Sequence, residues 1–440
     1  MSRGLERLQD EWRQKTYAYA AAVNEFLVKG LRDGWDTAGE EPEDPGREHL
    51  AATVVDALRD ANRTGDLEGL KERWPPAHRP FVKLLEKNGQ SIPTVCLLDD
   101  GTILARIGAP YERGRVLELS GTRWREVPDV QHFGRSPNRR YFAIAATEGV
   151  RITDGWRGPE VAVCPWPIGL EGMPDGYTVA PLEAPPTPTR LVPFPDGRRV
   201  LLVSDSGIFV LSPDSARRLL PSVDELREHF DWLRSEHPDD DLSLDLDMGH
   251  GAVSPDGRWI AVGSQDSSHM VFDEDLNAAA RVGTQSEYPH HALFSADGSM
   301  IAFNSCHFYN GVTVGVPTRL LPGLETGDYE PNEETPILEG GARIYAGASR
   351  NDEFVVGDAY GYVRAFDTSG ALRWQHFLGS SIGDLDISRD GRTMAVSSYA
   401  GFLSLVELDA GRRAAYQIGT GEHFELRRWV IWKGEEPLVW

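Results

Sequence analysis

A four-residue turn pattern recurs seven times along this chain and constrains its fold more than any other feature. The copies are LDDG, SPNR, PDGR, SPDG, SADG, SRND and SRDG, beginning at residues 98, 136, 195, 254, 295, 349 and 388. Asp-Gly pairs favour tight turns between antiparallel strands because the glycine tolerates a positive φ. A run of small and apolar residues follows each copy, as in WIAVGS or TMAVSS, so the sequence predicts seven units of antiparallel strands.

The spacing of the copies predicts the size of each unit. The closest copies lie 38–41 residues apart, near the ~40–45 residues of a four-stranded propeller blade. Two longer spacings contain predicted insertions, a charged, helical stretch at 221–247 and a Pro- and Gly-rich loop at 317–338. Insertions of this kind are tolerated at blade junctions because loops lie on the surface.

This pattern resembles the WD40 and WD40-like β-propellers. The matching pieces are the SPDGR turns, the pair Gly249-His250, and Phe272-Asp273 and Phe366-Asp367, which stand where the family has Trp-Asp. The repeats are degenerate, since one blade has Gly-His and none has Trp-Asp. The resemblance covers about residues 91–440 and implies an all-β main domain with seven blades, six or eight being alternatives. The tail Leu426–Trp440 would complete a shared closing blade, form a partial eighth or cover a sheet edge.

Residues 1–90 have a different period. Their apolar residues recur every three or four positions from Leu5 to Leu27, which predicts an amphipathic helix. Shorter helices are predicted from about Glu48 to Ala61, after Asp66, and from about His78 to Leu85. This N-terminal α-helical segment is either a cap packed on the main domain or a separate partner-binding module.

Charge and composition exclude several classes of function. The chain has 45 basic and 68 acidic side chains, a net charge of -23, and residues 91–440 carry -20 of it. Such a charge disfavours direct binding of nucleic acid or of an anionic membrane. The N-terminus begins with charged residues rather than a signal segment, and three well-separated cysteines argue against a disulfide framework. We therefore expect a cytoplasmic protein.

The resemblance also predicts which residues share a face. In the family the Asp-Gly turn joins the two inner strands on one face, so the loops after the second strands lie on the other. Those loops, the segments entering each blade and the adjoining acidic run supply the predicted partner-binding residues. They are Asp239, Asp240, Asp241, Asp245, Asp247, Asp205, Asp266, Asp358, Tyr360 and Tyr399, with Trp166 as an exposed anchor.

Five residues on this face are candidate metal ligands because imidazole and thiolate bind zinc well. They are His250, His290, His291, Cys306 and His307. Three such ligands with a water would form a catalytic site. Their spacing matches no local zinc motif, and the histidine of a Gly-His pair usually makes structural hydrogen bonds in the family.

Three functions remain open from the sequence. No nucleophile elbow, zinc-protease motif or P-loop occurs, so no catalytic residue or cofactor is predicted. The favoured hypothesis is a non-catalytic platform that binds a basic protein, in a narrower form an inhibitor or immunity-type protein that neutralises a cationic effector. The alternatives are a metal-dependent hydrolase or lactonase with its site at the channel mouth, and a scaffold that self-associates through the helical segment.

Overall fold

Each of the seven turn copies joins the first two strands of a separate antiparallel sheet in the computed structural model. The structure describes residues 3–67, 69–238, 242–330 and 332–440. The seven sheets form a ring, the arrangement of a seven-bladed β-propeller, with an N-terminal helix over Arg3–Asp33. The predicted fold class and blade number are therefore confirmed. No helix in the described ranges is long and apolar enough to cross a membrane.

Most of the helices precede the propeller, and three four-stranded blades follow them in the chain. The helices are α1 (Arg3–Asp33), α2 (Trp35–Ala38), α3 (Ala51–Thr64), α4 (Leu70–Arg73), α5 (Val82–Asn88) and α6 (Val223–Glu236), with 3-10 turns at Glu48–Leu50, Arg79–Phe81 and Thr318–Leu320. The strands of the first three blades are β1 (Thr94–Leu97), β2 (Ile103–Ile107), β3 (Arg115–Ser120), β4 (Arg123–Val127), β5 (Phe133–Arg135), β6 (Tyr141–Ala145), β7 (Gly149–Asp154), β8 (Glu160–Pro165), β9 (Pro188–Pro193), β10 (Val200–Ser204), β11 (Gly207–Leu211) and β12 (Ala216–Leu220).

The remaining strands form four larger or interrupted blades. They are β13 (His250–Val253), β14 (Ile260–Gly263), β15 (His269–Phe272), β16 (Ala278–Val282), β17 (Tyr288–Phe294), β18 (Met300–His307), β19 (Asn310–Pro317), β20 (Leu324–Glu325), β21 (Ile337–Gly340), β22 (Ile344–Arg350), β23 (Glu353–Asp358), β24 (Tyr362–Asp367), β25 (Leu372–Phe377), β26 (Ile382–Ile387), β27 (Thr393–Ser398), β28 (Phe402–Glu407), β29 (Ile418–Gly419), β30 (Phe424–Val430) and β31 (Leu438–Val439). Blade 4 is β13–β16 with β20, blade 5 is β17–β19 with β21, blade 6 is β22–β25 with β29, and blade 7 is β26–β28 with β30 and β31.

A side-chain hydrogen bond explains why the turn pattern repeats. In the SPDG copy, Ser254 Oγ donates to Asp256 Oδ1 (2.6 Å) and accepts from the backbone N–H of Trp259 (2.9 Å). Gly257 then takes a φ of 77°, which costs glycine little. The same serine–acid bond occurs in the copies that begin at 295 and 388. These three turns are therefore fixed by their own residues.

The ring closes through side chains, and no described strand is shared between the first and last blades. Asp384 and Asp386 of β26 accept the backbone N–H groups of Val95 and Leu97 in β1, at 2.8 and 2.6 Å. A shared core of Ile103, Leu117, Leu403 and Trp429 lies between the two blades. The tail supplies β30 and β31 of blade 7, so it forms neither a shared blade nor an eighth one.

The N-terminal helices pack against blade 7. Trp12 of α1, Val54 of α3 and Phe81 share a buried core with Trp432 and Trp440 of the tail. The indoles of Trp12 and Trp440 donate to the carbonyls of Pro75 and Trp74, at 2.9 and 2.6 Å. The periodic apolar face of α1 thus has its partner in the propeller.

Candidate functional site

Strand alternation divides the propeller into two faces. Because the strands are antiparallel, the turns between first and second strands lie at one end of each blade, together with those between third and fourth strands. The loops between second and third strands lie at the other end, with the segments that enter each blade. We call this second end the loop face.

Three carboxylates lie close together on the loop face, and we call them the acidic mouth. Asp205 lies between β10 and β11, and Asp245 and Asp247 precede β13. The backbone N–H of Leu246 donates to the carbonyl of Asp205 at 2.6 Å, which holds the two segments together. Burial, with Asp247 and Asp205 adding repulsion, raises the pKa of Asp245. Asp239, Asp240 and Asp241 lie outside the described residues.

Exposed aromatic side chains stand beside this mouth. Phe308 and Tyr309 form the tip of the hairpin between β18 and β19 and are 70% and 58% exposed. Phe308 has a φ of 52°, a conformation that a bulky side chain rarely adopts. The Tyr309 ring packs on Tyr360 at 5.9 Å, and the Tyr360 hydroxyl donates to Asn310 at 2.7 Å. These contacts hold the aromatic hairpin tip in place on the surface.

Arg343 joins the aromatic tip to the acidic mouth. Its guanidinium donates to the carbonyl of Phe308 (3.3 Å) and contacts Met248 Sδ (3.6 Å), which directly follows Asp247. It also lies over the Tyr345 ring at 4.8 Å, and Tyr345 packs on the half-buried Tyr399 at 5.4 Å. The mouth, the tip and the two tyrosines thus form one continuous surface.

His290 is fixed as a neutral hydrogen-bonding residue of this surface. Its Nδ1 donates to the carbonyl of Ile344 at 2.6 Å, so its Nε2 accepts from Arg343 at 2.7 Å. Burial, with the charge of Arg343, lowers the pKa of His290 to about 3. Both ring nitrogens are engaged and neither is directed at an open metal position.

The other metal candidates are buried or paired with other groups. Burial lowers the pKa of His250 to about 3 and raises that of Cys306 to about 11, while His291 is also buried. His307 is exposed and lies 3.3 Å from Glu287. Across the described ranges, no group of three or more His, Cys, Asp or Glu residues is placed to hold a metal ion. The five candidate ligands therefore form no common site there.

Three predicted partner contacts differ in their surroundings. Asp266 is exposed in the turn between β14 and β15. Asp358 is fully buried, accepts the backbone N–H groups of Tyr360 and Tyr362 at 2.9 Å, and lies 3.0 Å from Arg364. Asp358 thus holds its loop and is no partner contact. Trp166 is half-buried and donates to the carbonyl of Ala146 at 2.9 Å, which corrects its predicted exposure.

Sequence reasoning missed two features of this region. Phe308 and Tyr309 carry no motif, although a bulky pair at a hairpin tip, where Gly or Asn is usual, is a detectable signal. A cleft of about 920 Å³ also lies between α1 and the outer strands of blades 5 and 6. Tyr19, Phe26 and Tyr362 line it, and Tyr360 connects it to the loop face. The segments that form its walls are far apart in the sequence, so no local sequence pattern predicts the cleft.

No family model matches the chain, and no curated protein matches its sequence. The WD40-like character is therefore structural: seven small antiparallel sheets in a ring. A propeller of this kind commonly mediates protein interactions.

Proposed function

We propose that the protein is a non-catalytic, cytoplasmic interaction platform that binds a basic protein partner through its loop face. The observation that carries this proposal is the exposed Phe308–Tyr309 tip, joined by Arg343 to the acidic mouth. Aromatic side chains supply most of the binding energy at many interfaces, and surrounding charge selects the partner.

The backbone of Phe308 supports an interaction role. A non-glycine residue in the left-handed region costs of order 1–2 kcal/mol, and strain of this kind is concentrated at functional sites. Phe308 also exposes 70% of its surface to water, so it contributes little to the core. A folding requirement would favour Asn or Gly at this position, whereas a binding requirement explains the phenyl ring.

The charge of the propeller supports a basic partner. The acidic mouth places three carboxylates together in a domain whose net charge is -20. A concentrated field of one sign raises the association rate of an oppositely charged protein and makes that rate depend on salt. In the narrower form of the proposal, the partner is a cationic effector, such as a nuclease toxin, whose phosphate-binding surface the carboxylates occupy.

The test begins with a pull-down from native lysate at low salt, with elution in steps of rising salt and identification of the bound protein by mass. The affinity of that purified partner is then measured for wild type and for Asp205→Asn/Asp245→Asn/Asp247→Asn. We expect the triple variant to bind at least tenfold more weakly and with less dependence on salt.

A control variant with the same change in net charge tests whether binding depends on the loop face or only on net charge. Asp214, Asp275 and Asp352 are exposed in turns at the opposite end of the blades, and replacing all three by Asn changes the net charge equally. This control should bind within twofold of wild type. Equal losses in the two triple variants, or binding indifferent to salt, would overturn the proposal. Loss of the partner's nuclease activity on binding would support the narrower form.

A further inference from the structure

The central channel is cationic although the protein as a whole is acidic. The innermost strands of the seven blades line a cavity of about 400 Å³. Its charged lining residues are Arg135, Arg139, Arg190, Arg389, Asp384 and Asp386. Four arginines and two aspartates thus line the cavity, in a chain whose net charge is -23.

Three of the four arginines already have anionic partners. Arg135 and Arg139 donate to Asp386 at 2.7 and 3.1 Å. Both also donate to the carbonyl of Leu97, at 2.9 and 2.7 Å. Arg389 lies 3.1 Å from Asp99 at the rim. These groups are used in holding blades 1, 2 and 7 together.

Arg190 of β9 is different. Within the described ranges its guanidinium makes no hydrogen bond and has no carboxylate within 4.0 Å, although the residue is half-buried. Its charge nevertheless acts on His132 of blade 2, His250 of blade 4, His291 of blade 5 and Asp384 of blade 7. Arg190 is also one of the residues that line the channel cavity, which brings it near groups on these four other blades.

We propose that the channel binds a small oxyanion, a carboxylate or a phosphate-like group, at Arg190. A guanidinium offers two parallel N–H donors that match the oxygen pair of such an anion. The innermost strands hold this group in a rigid frame, and the reduced dielectric of a narrow channel strengthens the pairing. The cavity admits a small anion with its water and excludes a folded chain.

Asp384 makes this binding depend on pH. Burial, partly offset by the charge of Arg190, raises the pKa of Asp384 to about 6. Its charged form repels a bound anion, and its protonated form does not. Burial lowers the pKa of His132 and of His250 to about 3 and raises that of Tyr399, so these neighbours keep one charge state between pH 5.5 and 8. Asp386 forms ion pairs with Arg135 and Arg139.

The first experiment titrates the full-length protein with sulfate, inorganic phosphate and acetate by calorimetry at constant ionic strength. We expect millimolar or tighter binding to wild type and at least a tenfold loss in Arg190→Gln. Arg258→Gln removes a surface arginine of blade 4 and should bind as wild type does. Preference for acetate or for sulfate and phosphate identifies the natural head group. No binding to wild type, or equal binding to Arg190→Gln, would overturn the proposal.

A second arm uses sulfate alone, because its charge is constant from pH 5.5 to 8. The affinity of wild type should rise several-fold as the pH falls through about 6. Asp384→Asn should bind as tightly at pH 8 as wild type does at pH 5.5, with a flat profile. Wild-type affinity that does not change with pH contradicts the proposed geometry. This arm does not require Arg190→Gln to fold.

Discussion

Replacing Asp386 by Asn should weaken the junction between the first and last blades, where the ring closes. The carboxylate of Asp386 accepts from Leu97 N–H at 2.6 Å, from Arg135 at 2.7 and 2.8 Å, and from Arg139 at 3.1 Å. Its side chain is 13% exposed, and those of the two arginines are 12% and 15% exposed. A single group thus joins blades 1, 2 and 7.

The expected loss of stability follows from the two arginines whose ion pairs with Asp386 the substitution removes. Asparagine keeps one acceptor oxygen but places an NH₂ group against two guanidinium groups that remain almost buried. Removing one partner of a buried ion pair costs about 3–5 kcal/mol, because the remaining charge is uncompensated. We expect a loss of that order in the free energy of unfolding, because the first and last blades share no described strand that would maintain the contact.

The assay is equilibrium unfolding in urea, followed by the fluorescence of the 12 tryptophans. Asp99→Asn is the matched control, since Asp99 lies 3.9 Å from the same Arg139 but is 61% exposed. An exposed pair of this kind contributes within about 1 kcal/mol. A change below about 1 kcal/mol in Asp386→Asn, or equal changes in both variants, would refute the account of ring closure.

Four other residues or residue classes give further expected outcomes. Because the pKa of Asp384 is raised to about 6 from an ordinary value of ~4, the native state binds a proton in this interval that the unfolded state releases. The free energy of unfolding should therefore fall as the pH rises from ~4 to about 6 and level off above it, and Asp384→Asn should raise it at pH 7.5 by up to about 3 kcal/mol in urea unfolding. Phe308→Asn should raise the melting temperature through relief of about 1 kcal/mol of backbone strain while weakening partner binding; a destabilised variant with unchanged binding would contradict its assigned role. Trp440→Ala should cost about 3–5 kcal/mol in the same unfolding assay, since the indole is buried and donates to Trp74. A thiol-specific dye at pH 8 should label no cysteine in the native protein and three after unfolding in urea, because burial raises the thiol pKa of Cys96, Cys164 and Cys306.

Local chemistry explains why the blade count was predictable. Each Ser-x-Asp turn bonds within six residues, as Ser254 does with Asp256 and Trp259, so its sequence fixes its conformation wherever the segment lies. The periodic face of α1 is equally local, with Trp12, Ala20 and Leu27 buried on one side. Repetition of such a signal reveals the architecture even though no family model matches the chain.

The environments of single side chains were less predictable. The position of Asp358 in a polar loop predicts an exposed carboxylate. In the structure, Arg364 and two backbone N–H groups surround that carboxylate. The histidine candidates share a face, yet His290 is engaged by Arg343 and Ile344. The partners of His290 lie 53 and 54 residues away in the chain, whereas those of Asp358 are close in sequence. In both cases the packing of the folded chain selects which of several possible contacts is made.

The sequence by itself determined that the chain forms seven antiparallel units preceded by helices, and that the chain is strongly acidic. Only the tertiary structure decided that Arg190 lies in the channel without a carboxylate partner among the described residues, that Phe308 is exposed beside the acidic mouth, and that Asp386 joins the ends of the ring. Turns and helix periodicity depend on neighbours a few residues apart, whereas burial and electrostatic surroundings depend on segments that are far apart in the chain, such as Val95 and Asp384, which are 289 residues apart.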